Sequence, residues 1–133
     1  MTERNYLKPG WLMRNVLNPI VVKLGQASEL TVNGRKSGTP YTVAVSPIEV
    51  EGDIYLLAPR GETDWVRNLR AVGEGVLTYK GDEIRFTGVE LTGDDRAKIV
   101  EEYQKQLGKM VANYFRKLPD PADHPSFRVV RNA

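Results

Sequence analysis

The chain has 133 residues, 41% hydrophobic and 27% charged, with a net charge of +2 and no cysteine. That balance predicts one soluble domain over residues 1–133 with room for one core. It excludes disulfides, thiolate metal sites and a cysteine nucleophile, and it is compatible with a cytoplasmic home. So small a charge, with aromatics not interleaved among basic residues, gives no footing for nucleic-acid binding. No apolar run approaches the roughly 20 residues that span a bilayer, and no secretory cleavage pattern opens the chain.

Apolar positions Trp11, Leu12, Val16, Leu17, Ile20, Val21 and Leu24 recur at three and four, the spacing of one helical face, with a kink expected at Pro19. This helix either plugs a core or, given its basic flank and Trp11, makes peripheral membrane contact. Glu29 to Val32 follows as a short strand and leads into the turn Gly34-Arg35-Lys36-Ser37-Gly38. Tyr41 to Val50 is rich in β-branched residues, with Pro47 disturbing its alternation as a bulge or sheet edge would. Glu51-Gly52-Asp53 turns the chain into a strand from Ile54 to Ala58.

Thr63 is placed to cap a helix from Asp64 to about Ala71, with Trp65 and Leu69 four apart on one side and Asn68 three residues after Trp65. Gly75 to Tyr79 and Glu83 to Leu91 flank Lys80-Gly81-Asp82 as a second hairpin, in which Gly88 reads as a bulge. A longer helix after Thr92 puts Ile99, Tyr103, Leu107, Met110, Val111 and Tyr114 on one face, with Gly108 as its interruption. Phe127 to Val130 returns as a last strand. Hairpins dominate, so the expected fold is mainly β with helices: about six antiparallel strands in a small barrel, helices packed outside.

The chemistry-bearing groups are few. His124 is the sole histidine and has no cysteine beside which to bind a transition metal, so it reads as a structural loop residue and no metal is expected. Ser37 and Ser46 have no triad partner, and no paired-carboxylate arrangement stands out, so no protein-borne catalytic residue is assigned. What remains is anion binding. Arg35 and Lys36 form either a solvated turn or a grip for an acidic ligand, and Pro59-Arg60-Gly61-Glu62 leads into a helix start whose free amides favour phosphate or carboxylate. A borrowed cofactor would supply the reactivity that the side chains lack.

With those residues in view, LTVNGRKSGTPYTVAV followed by DWVRNLRA resembles the deazaflavin (coenzyme F420)-dependent nitroreductase and quinone reductase family. The resemblance implies a split β-barrel, FMN-binding-protein-like, and hydride transfer from reduced F420 to a small electrophile such as a quinone or nitro compound. It implies that the basic turn Arg35, Lys36 and Ser37 faces the cofactor's acidic tail and that Thr42, Val43, Ala44, Val45 and Ser46 lie along the deazaflavin ring. Ala58, Pro59, Arg60 and Gly61 form the phosphate-side loop, with Trp65 and Asn68 on the closing helix. Tyrosines that shape the substrate pocket of nitroreducing members lie near the C-terminus, which makes Tyr103 and Tyr114 the candidates here.

The chain departs from that pattern. Many relatives carry arginine where Tyr41 stands, proline where Ala44 stands and a hydroxyl near Pro59, while Glu62 and Asp64 bring negative charge towards the phosphate. Alternatives are FMN on the same barrel and a non-catalytic cofactor- or lipid-binding module. A homodimer is an expectation from the barrel's hairpin edges.

Overall fold

The computed structural model describes residues 28–132, so the helix expected over residues 11–24 lies outside them. Among the described residues there are seven strands: β1 (Ser28–Asn33), β2 (Pro40–Val45), β3 (Ile48–Val50), β4 (Asp53–Leu57), β5 (Glu74–Tyr79), β6 (Asp82–Glu90) and β7 (Ser126–Arg131). The helices are α1 (Asp64–Val72), α2 (Gly93–Leu107) and α3 (Ala112–Lys117).

Every pairing is antiparallel, in the order β2-β1-β5-β6-β7-β4-β3. The outermost strands, β2 and β3, are consecutive in the chain, with Ser46 and Pro47 alone between them. Two residues cannot cross a flat seven-stranded sheet, so the sheet curls until its edges approach, which makes a split barrel. The single strand expected over Tyr41–Val50 is therefore two strands on opposite edges, and the count rises from about six to seven. Pro47, which has no N–H for a ladder, marks the crossing.

The hairpins are tight because two non-glycine residues accept positive φ next to a glycine: Glu51 at 52° before Gly52 at 87°, and Lys80 at 52° before Gly81 at 86°. Positive φ at both central residues is the two-residue turn whose twist matches the strands.

Alternation along β4 divides the interior into two. Ile54, Leu56 and Ala58 face the barrel with Leu30, Leu69, Leu77, Phe86 and Phe127, whereas Leu57 packs outward with Ile99, Val100, Tyr103, Val111 and Phe115 of α2 and α3. Leu30, Leu69, Leu77 and Phe86 are fully buried, and each contributes roughly 1.5–3 kcal/mol by leaving water.

Helix α1 closes the barrel, with Val66 and Leu69 both fully buried. It ends at Gly73, whose φ of 90° lets its N–H reach the Leu69 carbonyl. The bulge expected at Gly88 does not occur. Its ladders run in unbroken register from Thr87 to Glu74 and from Glu90 to Phe127, and Gly88 keeps the inward parity of Ile84 and Phe86. A Cβ there would lie 3.1 Å from a Leu69 methyl, so the glycine makes room for the helix. The long C-terminal helix breaks where Gly108 turns to φ 50°, and a 3-10 turn over Gly108–Met110 precedes α3.

Candidate functional site

A cavity of about 460 Å³ opens where β2, the end of β4, the start of α1 and the α2–α3 segment meet. Such a volume lies within the range of small-molecule sites. One wall is Val43, Ala44 and Val45 with Ser46; a second is Ala58, Pro59 and Arg60 after Leu57. Trp65 stands between them on α1, its ring centroid 6.1 Å from that of Phe127 in the barrel interior. Tyr103, Met110, Val111 and Tyr114 form the remaining wall.

The loop from Pro59 to Thr63 is held firmly. The Ala58 N–H donates to the Pro125 carbonyl at 3.0 Å, the Gly61 N–H returns to the Ala58 carbonyl at 3.2 Å, and the Thr63 N–H reaches the Gly61 carbonyl at 2.8 Å. Gly61 is buried at φ 92°, where a side chain would be strained. Thr63 occupies the N-cap position with extended backbone, but its hydroxyl makes no cap hydrogen bond. That oxygen is buried and has no partner among the described residues, an open hydrogen-bonding group on a residue of the cavity wall.

The two acidic residues of this segment part company. Glu62 is bound by Arg70 through two contacts of 2.9 Å, and Arg70 binds Glu90 of β6 through two more of 2.8 Å. Those hydrogen bonds from Arg70 hold the Glu62 carboxyl below its ordinary pKa, and the two carboxylates, Glu90 first, raise that of Arg70. Asp64 does line the cavity, and its carboxylate lies 3.9 Å from Arg35 and 4.0 Å from Arg67.

The basic turn sits on the far side of that carboxylate. Buried Asn68 accepts hydrogen bonds from the Arg35 backbone and guanidinium, which fastens the β1–β2 turn to α1. Lys36 and Ser37 are exposed, and the Ser37 hydroxyl accepts from the Thr39 N–H at 3.1 Å. Thr42 meets Thr31 across the β1–β2 ladder at 2.8 Å between hydroxyls.

Tyr103 is 2% exposed, and burial pushes its phenol pKa up to about 12, helped by neighbouring Tyr114. Met110 and Tyr114 are exposed, at 59% and 39%. Behind them His124 is fully buried, with Nδ1 3.1 Å from the Ala58 carbonyl, Nε2 2.6 Å from the Leu118 carbonyl, and its ring centroid 4.2 Å from that of Phe115. It braces the Ala58 wall against the end of α3.

Of the residues assigned from the sequence, Val43, Ala44, Val45, Ala58, Pro59, Arg60, Trp65, Tyr103 and Tyr114 come together on this one cavity. Arg35, Lys36, Ser37, Thr42, Gly61 and Asn68 are not part of its wall. Arg35 reaches its rim through Asp64, while Gly61 and Asn68 shape the loop and helix behind it. Ser46, the end of the strand expected along the ring, Thr63, at the helix start expected to hold an anion, and Asp64, expected near the phosphate, line it too, whereas sequence reasoning assigned no contact to Leu57, Met110 or Val111. Met110 carried a signal, because it shares the helical face of Tyr103 and Tyr114. The break at Gly108 then turned it outward.

Among the described residues, a split barrel thus carries an open pocket walled by a strand edge, a cation-bearing loop and a tryptophan helix, an arrangement suited to holding a bound cofactor. The family model described as F420H(2)-dependent quinone reductase matches residues 11–118, and the chain belongs to that family. It is accordingly an oxidoreductase whose hydride comes from reduced coenzyme F420 and passes to quinone-like acceptors.

Solved structures share the fold. An F420-H2 dependent reductase, FDR-A, is 22% identical with TM-score 0.63, over 77% of this chain and 92% of that one. The protein Atu2129 of Agrobacterium tumefaciens, of unknown function, is 21% identical with TM-score 0.67, over 86% of this chain and 55% of that one. A domain-swapped dimer is 20% identical with TM-score 0.63, over 91% and 98%. No match to a curated protein was found.

Proposed function

We propose that the cavity between β2, α1 and the α2–α3 segment binds F420 and its acceptor together, and that this chain reduces quinones, and nitro compounds of similar shape, there. One observation carries the reading: the strand, loop and tryptophan assigned to the cofactor line the same 460 Å³ hollow as the two tyrosines assigned to the acceptor. The donor set suits the cofactor. Arg60 supplies a cation for its phosphate, Val43 to Val45 an apolar edge for its ring, and Thr63 a buried hydroxyl without a partner. When bound, the coenzyme supplies a hydride.

The side chains position and polarise. Trp65 fills the side of the pocket next to the barrel and excludes water. The Tyr103 phenol is neutral at ordinary pH, as an unperturbed phenol also is, and burial keeps it so further into the alkaline range, so it donates a hydrogen bond to the acceptor oxygen on which negative charge develops. Reduction of a quinone to a hydroquinone takes one hydride and one proton, and solvent at the Met110–Tyr114 mouth delivers the proton. Arg35 and Lys36, outside the pocket, attract the acidic tail at longer range.

Assembly as a homodimer is part of this proposal, supported by the dimeric neighbour. Peripheral membrane contact through residues 11–24 and a cytoplasmic location rest on the amino-acid pattern; no described helix is long and apolar enough to cross a membrane. The test is a fluorescence titration of F420 with FMN as competitor, followed by oxidation of reduced F420 against a panel of soluble quinones. Expected are F420 binding that FMN does not displace and quinone-dependent turnover. Binding without turnover against the whole panel would replace the enzyme reading by that of a cofactor carrier.

A further inference from the structure

We infer that Arg70 is a positioning residue for the cavity: by gripping Glu62 and Glu90 at once, it fixes the loop that carries Arg60 and Thr63 to the barrel. The inference rests on reading Arg60 and Thr63 as ligand contacts. Arg70 lies in the last turn of α1, about 9 Å of helix beyond Asp64, and Glu62 stands two residues before that start. Side chains on a helix lean towards its N-terminus, so the guanidinium reaches back along α1 to Glu62, just before the N-cap Thr63. It donates through Nη1 and Nη2 to the two oxygens of Glu62, and through Nε and Nη2 to the two oxygens of Glu90. Such paired contacts constrain orientation as well as distance.

Two features give this clamp a consequence for the site. Glu62 stands between Arg60 on one side and Thr63 and Asp64 on the other, and those three line the cavity whereas Glu62 does not. The start of α1 also lacks its usual local fastening, because the Thr63 hydroxyl forms no cap hydrogen bond. At the loop's other end Ala58 is fixed by Pro125 and His124. Glu62 supplies the second anchor, and Glu90, paired with Phe127 in the β6–β7 ladder, ties that anchor to the sheet. The Arg70, Glu62 and Glu90 side chains are 42%, 48% and 26% exposed, so the clamp contributes little to global stability and acts locally.

The test compares cofactor-free wild type with Glu62→Gln, Arg70→Met and the double variant Glu62→Gln/Arg70→Met, which keeps the net charge. Hydrogen exchange at the Gly61 and Thr63 amides should quicken severalfold in all three, with melting temperatures within a few degrees of wild type. F420 affinity should fall about three- to tenfold in Arg70→Met and in the double variant alike. Unchanged exchange at those amides in folded variants overturns the clamp. A fall in affinity confined to Arg70→Met assigns the effect to charge alone and overturns positioning. Faster exchange with unaltered affinity removes the loop from the cofactor site, which defeats the reading beneath the inference and leaves the clamp as a mechanical fact.

Discussion

The amide oxygen of Asn68 accepts two hydrogen bonds from Arg35, one from its backbone N–H at 3.0 Å and one from Nη1 at 2.8 Å. A buried helix residue thereby holds the basic turn in place, so Arg35 and Lys36, adjacent in sequence, have different roles. Asn68→Ala and Arg35→Ala should each destabilise the protein, the former by about 1–3 kcal/mol because the turn's donors lose a buried acceptor. Lys36→Ala should leave thermal stability unchanged. The Arg35→Ala/Lys36→Ala double variant should bind F420 much more weakly than wild type at low salt, with the gap narrowing at high salt. Titrations at two ionic strengths check this, and equal affinities in both would dispose of tail recognition by the turn.

Gly88 is a packing glycine. Gly88→Ala places a methyl 3.1 Å from Leu69 and should cost about 1–3 kcal/mol by overpacking. Shrinking the neighbour should recover part of that loss, so the double variant Gly88→Ala/Leu69→Val should be more stable than the two single effects added together. Urea denaturation of all four proteins measures the coupling; strict additivity would place the strain elsewhere.

Tyr103 links stability to alkaline pH. Its phenol is pushed from 10 to about 12 in the folded state, so across that interval the folded chain retains a proton that the unfolded chain releases. Its contribution, about 2–3 kcal/mol, is therefore whole below pH 10 and is lost as pH rises towards 12. Tyr79, raised by burial and by its hydrogen bond to Glu49, adds a slope of the same sign. Tyr103→Phe should flatten the fall in stability between pH 9.5 and 12, roughly the window set by the linkage. A slope identical to wild type would show that the phenol is not desolvated.

His124 joins the Ala58 and Leu118 carbonyls through its two ring nitrogens. His124→Phe keeps the stacking against Phe115 and removes the imidazole N–H, which a neutral ring can give to one carbonyl at a time, while the Ala58 carbonyl keeps the Gly61 N–H. A loss of about 2–4 kcal/mol is expected by chemical denaturation. His124→Gln, whose amide can still donate, should lose less. If the phenylalanine variant proved as stable as wild type, ring packing rather than hydrogen bonding would secure the wall of the cavity.

Much of this molecule was legible in its sequence because the signals are local. Alternation placed the strands, Gly52 and Gly81 placed the tight turns, and the motifs around Gly34-Arg35-Lys36-Ser37-Gly38 and Trp65 carried the family. Periodicity read by itself missed two features. Pro47 was visible as a disturbance, but that it sends β3 to the opposite edge of the sheet depends on which strands pair, a non-local matter. Gly88 looked like a bulge because glycine in a strand has two readings, and Leu69, nineteen positions earlier, decides between them.

The sequence alone determined the kinds of side chain available and a hairpin-dominated β fold, since both follow from residue type at short spacing, while its motifs carried the resemblance that implied the cofactor. The tertiary structure decided which of them share a hollow. Arg60 and Tyr103 stand far apart in the chain, and the curl of the sheet brings them to one cavity; Arg35 and Asn68, read as cofactor ligands, are bonded to each other. Whether an arginine meets a ligand or a neighbouring asparagine depends on distances set by long-range packing, which local spacing does not encode.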